Sequence, residues 1–248
     1  QKELIAKHIG SSRFVYNLAL ETKNAAYLGS KHNFSPFDLI KQLPELKKEC
    51  EWLKEVNSQS LQQSIQNMDI AFKKFFKGAG FPKFKSKHRG KQSFSIPQNV
   101  IVENNLLIIP KFKEGINIVL HREIKGTIKS ATISVTPTGK YFVSILVDTN
   151  TEIPTKAPIT ENATIGIDLG IKDFAITSDG EVFENPKYLR KAQSKLKYVQ
   201  RKYSKNKGKR TKKRLALLHE KVVNKRKDFL HKTSTKLIRE NQTICLED

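Results

Sequence analysis

Cysteine is scarce in this chain, and its scarcity excludes two kinds of scaffold. Among the 248 residues only Cys50 and Cys245 are cysteines, and they are far apart and form no C-x-x-C pair. A disulfide framework needs several cysteines, and a zinc knuckle needs closely spaced pairs of them. These residues therefore hold neither, and the chain suits a reducing compartment.

Long apolar runs and sequence signatures of several enzyme classes are also missing. No stretch of roughly 18 apolar residues could span a bilayer, and the N-terminus has no signal-peptide pattern. We therefore expect a soluble, cytoplasmic protein with no membrane partner. The sequence has no H-x-x-x-H, H-E-x-x-H or G-x-S-x-G pattern, so neither a histidine metal site nor serine-based catalysis is supported.

Acidic residues are few compared with basic ones, and this imbalance favours nucleic acid as a partner. The 46 Lys and Arg against 24 Asp and Glu give a formal net charge of +22. Such a field concentrates polyanions through counterion release. Residues 187–232 carry 19 Lys and Arg but only Glu220 and Asp228 as acids. The alternative is a solvated helix face, but so few acids leave the cations to repel one another unless a polyanion neutralises them.

The first module, residues 1–79, is predicted to be helical. Apolar residues recur at steps of three and four from Leu61 to Phe75. Helix starts are indicated by Ser35 before Pro36 and by Asn57 before Ser58.

The second module, residues 80–155, changes to short β-branched and aromatic runs. Turn residues at 104–105 and 136–139 separate them. We predict a small antiparallel β-barrel from the strands at 93–96, 106–109, 116–120, 127–135 and 141–147.

The third module, residues 156–248, has an α/β pattern. Strands at 164–169, 174–177 and 181–183 follow one another closely enough to form two antiparallel hairpins. A basic helical hairpin is predicted over residues 187–240, with a break at 206–208, and a closing strand at 243–246.

Asp168 and Glu247 are the candidate metal-binding and catalytic residues of this module. In the strand ending at Asp168, alternation places the carboxylate on the same face as Gly166 and Gly170, which leaves room for a hydrated ion and a phosphodiester. If the closing strand is its parallel neighbour across the helical crossover, Glu247 meets Asp168. Paired carboxylates suit Mg²⁺ in phosphodiester hydrolysis.

A purely structural or solvent-exposed role is the alternative for each of these two carboxylates. Asp168 could be a turn or capping residue, and Glu247 could simply be solvated. The string at 166–170 also resembles the phosphate-binding strand of actin-type and Hsp70-type ATPases. Those proteins usually carry it near the N-terminus and follow it with further glycine-rich loops. Its position here and the basic segment after it disfavour that interpretation.

Four segments supply candidate nucleic-acid-binding residues. A second basic run, from Lys83 to Lys91, is interleaved with phenylalanines. The rings of Phe81, Phe84 and Phe94 could stack on bases or simply pack in the barrel core. Amides on the helix after Asn57 could read base edges or simply face solvent. The predicted contacts are Arg13, Asn17, Gln62, Gln63, Gln66, Lys73, Lys74, Lys83, Lys85, Lys87, Arg89, Lys91, Arg190, Lys197, Arg201, Lys209, Arg210, Arg214 and Arg226.

Four motifs in order resemble the TnpB family, the transposon-encoded proteins long labelled OrfB-type transposases and related to type V CRISPR nucleases. Together they extend over nearly the whole chain, which makes the match far more specific than any single motif. They are SRFVYNLAL at 12–20, LQQ at 61–63 leading to AFKKFF at 71–76, GFPKFKSK at 80–87 with QSF at 92–94, and GIDLG at 166–170 with LED at 246–248.

The resemblance implies an α+β multidomain protein. It would have a helical recognition module, a wedge-like β-barrel and a partial RuvC domain of ribonuclease H-like fold. The implied activity is RNA-guided, metal-dependent DNA cleavage, with a transposon-derived guide RNA, a double-stranded DNA target and Mg²⁺ or Mn²⁺ as cofactor. Asp168 matches the family's first catalytic Asp and Glu247 its catalytic Glu. The implied location is a prokaryotic cytoplasm, with association to the nucleoid when on DNA.

The sequence departs from the family pattern at both ends. The chain begins at Gln1 without a first barrel strand, and it has neither the zinc ribbon nor the third catalytic Asp that follow the catalytic Glu in the family. We therefore expect a fragment that is inactive or nearly so, with zinc bound only by the missing segment. The alternative is a nuclease-dead, transposon-derived nucleic-acid-binding protein. Catalysis of transposition itself is an older label for the family.

Overall fold

The computed structural model describes residues 1–88, 90–152, 155 and 158–246. The chain forms two compact units, Gln1–Glu152 and Ile153–Asp248, and each mixes helices with β-sheet. Within the described ranges, no helix is both long enough and apolar enough to cross a membrane.

Four α-helices begin the first unit, and their termini follow the capping residues predicted from the sequence. Ser35 accepts a hydrogen bond from the amide of Asp38, whose carboxylate accepts one in return, and Asn57 accepts one from the amide of Gln59. The helices are α1 (Lys2–Ser30), α2 (Pro36–Lys41), α3 (Leu43–Glu49) and α4 (Ser58–Phe75), with a 3₁₀ helix at Glu51–Glu55 before α4.

The predicted apolar stripe of α4 forms the centre of the helical core. Leu61, Ile65, Met68 and Phe72 are all buried, and they pack against residues 15–20 of α1 and against α2 and α3. Burying several such side chains supplies about 1.5–3 kcal/mol each relative to exposure, which holds short helices that would not be stable alone.

Six strands of the first unit form two antiparallel sheets with the orders β1-β5-β6 and β2-β3-β4. Asn104 and Asn105, both with positive φ, form the tight turn between β2 and β3, as the sequence predicts. The strands are β1 (Gln92–Ile96), β2 (Ile101–Glu103), β3 (Leu106–Ile109), β4 (Phe112–Asn117), β5 (Thr127–Val135) and β6 (Tyr141–Asp148).

The predicted closed barrel is wrong. Among the described residues no backbone ladder joins the two sheets, and β1 pairs only with β5. Ile5 and Ile9 of α1 instead pack against apolar side chains of both sheets, including Phe94 and Leu107. A helix therefore covers the apolar faces that closure of a barrel would otherwise bury.

One predicted strand of this module has different bounds, and one was missed. The strand predicted at 116–120 is β4, which begins at Phe112 after a two-residue turn through Lys111 with φ 75°. A lysine in the left-handed region is uncommon, so residue type did not predict this turn. The short strand β2 was not predicted because its three residues include no run of alternating apolar residues.

The second unit contains one four-stranded sheet with the order β10-β7-β8-β9. The two predicted antiparallel hairpins are confirmed in β7 (Thr164–Leu169), β8 (Asp173–Thr177) and β9 (Val182–Glu184). The closing strand β10 (Thr243–Leu246) pairs with β7 in parallel, an arrangement that needs the long crossover between them.

The crossover is the predicted basic helical hairpin. It consists of α5 (Tyr188–Lys205) and α6 (Lys209–Glu240), with the break at Asn206 to Gly208. Leu196 and Val199 of α5 and Val222 of α6 are buried. Leu237 of α6 packs against Ile165 and Ile167 of β7, which fixes the end of the hairpin on the sheet.

Candidate carboxylate site and nucleic-acid interface

Asp168 lies near the end of β7, the strand between β10 and β8. Ile165 and Ile167 are buried against α6, whereas Asp168 is exposed on the opposite face of the strand. The predicted alternation is confirmed as far as Ile167, but Leu169 is exposed rather than buried with the two isoleucines. Asp168 therefore presents its carboxylate to solvent from an ordered strand.

The two glycines that flank Asp168 differ in what they allow. A Cβ at Gly170 would lie 2.9 Å from the carbonyl oxygen of Asp173, too close for any side chain without a shift of the β7–β8 turn. A Cβ at Gly166 would meet only the Ser178 Cβ at 3.6 Å, an ordinary contact. Only Gly170 is therefore required by the backbone of the turn, and Gly166 leaves the face beside Asp168 open.

The parallel pairing of β10 with β7 is the feature that links the two predicted carboxylates. Ile244 is opposite Ile165 and Leu246 is opposite Ile167 in the ladder. The residues that follow these partners in sequence are Glu247 and Asp168. Glu247 itself lies outside the described residues, so the ladder shows the approach of the strands but not the second carboxylate.

A complete set of metal ligands is not present within the described part of the chain. Residues 1–88, 90–152, 155 and 158–246 contain no cluster of three His, Cys, Asp or Glu side chains placed to hold an ion. A carboxylate oxygen is the donor that Mg²⁺ prefers, and Asp168 offers one on an open face. Asp168 alone fits one ligand position, not a whole site.

The predicted cations of the hairpin all lie on its surface. Arg190 and Arg226 also line a cavity of about 400 Å³ together with Tyr188 and Phe229. The apolar residues of the hairpin face inward, so its charge faces solvent along two long helices. The exposed cations are Arg190, Lys197, Arg201, Lys209, Arg210, Arg214 and Arg226.

A second cationic surface surrounds a cavity of about 650 Å³ in the first unit. Among the predicted residues, Arg13, Lys83, Lys85 and Lys91 line it, with the exposed ring of Phe84 beside them. Lys87 is exposed on the same segment, and Arg89 lies outside the described residues. The cavity therefore brings together cations from α1 and from residues 83–91, which are distant in sequence.

Two of the predicted residues hold this segment in place through the protein itself. The Asn17 amide donates to the Lys85 carbonyl oxygen at 3.0 Å, and its oxygen accepts from the Lys85 amide at 2.8 Å. The Arg13 guanidinium donates to the Gln92 side-chain oxygen at 3.0 Å. Both side chains therefore position the basic segment against α1.

Lys85 is an exposed residue whose ammonium group lies over an aromatic ring. Its Nζ lies 3.9 Å from the centre of the Tyr16 ring, a cation–π contact. Burial of the ammonium group lowers the pKa of Lys85. The ring contact positions the ammonium group, whereas burial disfavours its charged form.

Ser12 is a cavity residue that the sequence did not reveal. Its side chain is buried and lines the same cavity, and within the described part of the chain its Oγ has no hydrogen-bond partner. A buried polar group without a partner costs about 1–3 kcal/mol. No sequence signal marks it because its burial depends on residues far along the chain.

The amide face of α4 is partly engaged in internal contacts. Gln66 is exposed and Gln62 and Gln63 are half-buried, and the Gln63 amide donates to the side chain of Asn67 at 3.3 Å. Lys73 forms an ion pair with Asp69 at 3.0 Å, whereas Lys74 is exposed. Gln66, Lys73 and Lys74 are therefore the exposed members of the predicted set on this helix.

Comparison with known proteins places the chain in a family. The profile of the IS605 OrfB proteins, described as "Probable transposase", matches residues 144–248. A second profile of the same proteins, described as "Helix-turn-helix domain", matches residues 1–31. The chain belongs to the TnpB family. In this TnpB-family chain the second matched stretch is essentially the single continuous helix α1.

Curated relatives extend the similarity over almost all of this TnpB-family chain. A "Putative RNA-guided DNA endonuclease" of Streptomyces pristinaespiralis is 34% identical over 255 residues, covering 98% of this chain and 62% of the relative. "Putative RNA-guided DNA endonuclease InsQ" of Escherichia coli (strain K12) is 34% identical over 250 residues, covering 96% and 60%. "Virulence protein VsdF" of Salmonella dublin is 36% identical over 100 residues, covering 36% and 84%. The chain spans about three fifths of the length of the first two.

Proposed function

We propose that the chain is part of a transposon-encoded, RNA-guided DNA endonuclease with a RuvC-type site. The observation that carries this proposal is the parallel ladder that brings β10 beside the exposed Asp168 of β7. The sheet order β10-β7-β8-β9, with a helical crossover before β10, supports a ribonuclease H-like layout for residues 158–246. The names of the two longest-matching relatives support the reaction.

The carboxylates of Asp168 and Glu247 would hold Mg²⁺ or Mn²⁺. A bound divalent ion would supply Lewis-acid activation of water and of a phosphodiester. Asp168 supports this role through its exposed position and through Gly166, which leaves the adjacent face open. Because the described residues contain no cluster of three ligands, the proposed site draws on Glu247 and on a further ligand.

The two cationic surfaces would bind nucleic-acid backbones. The hairpin cations and those around the cavity at Arg13 and Lys85 point outward from separate units of the chain. Phosphate contacts of this kind position the protein on the nucleic acid without reading its sequence. Base pairing with a guide RNA would then supply the sequence specificity. The partners would be a transposon-derived guide RNA and a double-stranded DNA target.

A second candidate function is binding of RNA and DNA without cleavage. The observation that favours it is the lack of a three-ligand cluster within the described ranges, beside an extensive cationic surface. This candidate shares every partner of the first and differs only in the chemistry at Asp168.

The test is to express the complete gene product with its own flanking DNA, sequence the RNA that co-purifies, and assay cleavage of matched duplex DNA in Mg²⁺. Asp168→Ala and Glu247→Gln should abolish cleavage without loss of bound RNA, and Glu184→Gln on the exposed edge of β9 serves as the matched control. Bound RNA without cleavage by the unaltered protein supports the second candidate. Cleavage that survives both carboxylate changes refutes the proposed site.

A further inference from the structure

An aromatic cleft of about 630 Å³ opens in the first unit, where the C-terminal ends of α1 and α4 meet. We define the aromatic cleft by the five rings that line it. Its volume is in the range of sites that enclose small molecules or single nucleotides. These rings belong to Tyr27, Phe72, Phe75, Phe76 and Phe81.

Some rings of the cleft pack against one another, and three of the five are exposed to solvent. Phe81 packs edge-on against Phe72 and Phe75, with ring centres 5.6 and 5.3 Å apart. Phe76 and Tyr27 are 78% and 56% exposed, although both line the cleft. A supported ring that exposes its face is suited to stacking on a flat ligand, and contiguous exposed apolar surface marks binding sites.

The floor of the cleft is polar. Asp69 is buried and pairs with Lys23 at 3.7 Å and with Lys73 at 3.0 Å, while Lys23 also donates to the carbonyl oxygen of Phe34 at 2.8 Å. A carboxylate and amides such as that of Asn24 beside aromatic faces can pair with the edge of a heterocycle. A purely aliphatic ligand would make no use of these polar groups.

The charge around the cleft favours a segment of a polyanion over a neutral or basic partner. Lys31 lies over the Tyr27 ring at 5.0 Å, and Lys73 and Lys74 occupy the last turn of α4. Lysines at the rim can hold phosphates outside the cleft. The negative ends of the α1 and α4 dipoles disfavour a phosphate inside it, so the flat part of the polyanion is what enters.

We propose that the aromatic cleft binds an unpaired nucleobase of a single-stranded nucleic acid, stacked on Phe76 and Tyr27. This proposal rests on the proposed function in one respect, which is that the chain binds nucleic acid. A base inside a duplex already stacks on its neighbours, so the cleft would act on a single strand. Stacking of this kind tolerates any base sequence.

The test measures binding of the 248-residue chain to a labelled single-stranded oligothymidylate and to a duplex of equal length, by fluorescence anisotropy at one fixed salt concentration. Tyr27→Ala and Phe76→Ala should weaken single-strand binding about five-fold to about a hundred-fold, since alanine replacement of a stacked ring costs about 1–3 kcal/mol per base. Duplex binding should not change. Phe37→Ala, which removes a ring of similar exposure on α2 outside the cleft, is the matched control.

A second readout locates the base directly. Photo-crosslinking of an oligonucleotide that contains 4-thiothymidine should attach it to Tyr27, Phe76 or Phe81. Circular dichroism of the variants serves as the control for folding. If the unaltered chain binds neither nucleic acid, this inference and the proposed function both fail. If it binds both but the variants match it, or if single-strand and duplex binding fall equally, only this inference is overturned.

Discussion

The buried ring of His8 should make the first unit lose stability as the pH falls. His8 is 1% exposed, its Nδ1 lies 2.8 Å from the Leu4 carbonyl oxygen, and its Nε2 accepts the Asn57 amide at 3.0 Å. This arrangement requires the neutral ring with its proton on Nδ1. Protonation of Nε2 would break the bond to Asn57, which is also the residue that caps α4.

The sign and size of the effect follow from the pKa. Burial lowers the pKa of His8, the charge of Lys111 lowers it further, and the Leu4 carbonyl partly opposes both. The unfolded chain, with a histidine pKa of about 6.5, therefore binds more protons than the folded one at mildly acidic pH. Stability is intact above that value and falls below it, and the loss between pH 7.5 and 5.5 has an upper limit of about 1.4 kcal/mol, reached when the folded ring stays neutral throughout.

The assay is urea denaturation followed by circular dichroism at several pH values, for the unaltered chain and for His8→Phe. The phenylalanine variant should be less stable at pH 7.5 by about 1–3 kcal/mol because the Asn57 amide loses its partner. It should also lose the part of the pH dependence that lies between 7.5 and 5.5. An identical pH dependence in the two proteins would refute the assignment of this effect to His8.

Three further sets of substitutions test the turn after Asp168 and the two cationic surfaces. Gly170→Ala should lower the melting temperature and distort the turn after Asp168, because its Cβ would meet the Asp173 carbonyl, whereas Gly166→Ala should be nearly neutral. Asn17→Ala removes two hydrogen bonds and should make the segment around residue 85 cleavable by protease; unchanged protection would contradict this. Replacing the hairpin cations Arg201, Lys209 and Arg210 with glutamine should weaken binding to duplex DNA. In a plot of the logarithm of the binding constant against the logarithm of the salt concentration, the slope should become shallower by about 0.9 for each phosphate contact removed.

The local part of this fold could be predicted from the sequence, and the long-range part could not. Ser35 and Asn57 mark helix starts because capping uses residues three or fewer positions away. The hairpins from β7 to β9 follow from alternation and short turns. The parallel pairing of β10 was also predictable, because a helical crossover between two strands leaves few other arrangements.

The difference between the predicted barrel and the two observed sheets shows why the long-range part of the fold could not be predicted. The alternating strands specify which faces are apolar, but not whether another strand or a helix covers them. Here Ile5 and Ile9, some 85 residues before β1, cover the sheets. The same limit applies to the candidate site. Asp168 was found from its strand pattern, whereas the burial of Ser12 and the contacts of Asn17 depend on the distant segment after α4.

The position of the positive charge in the second unit follows from the topology of its sheet. A parallel strand cannot follow a tight turn, so β10 needs a long crossover, and α5 and α6 provide it. Leu237 anchors the end of that crossover on Ile165 and Ile167, while its cations face solvent. The segment that would bind the nucleic-acid backbone is therefore the one that holds β10 beside β7. Neutralising the repulsion along the hairpin would favour the same arrangement that brings the two strands of the proposed site together.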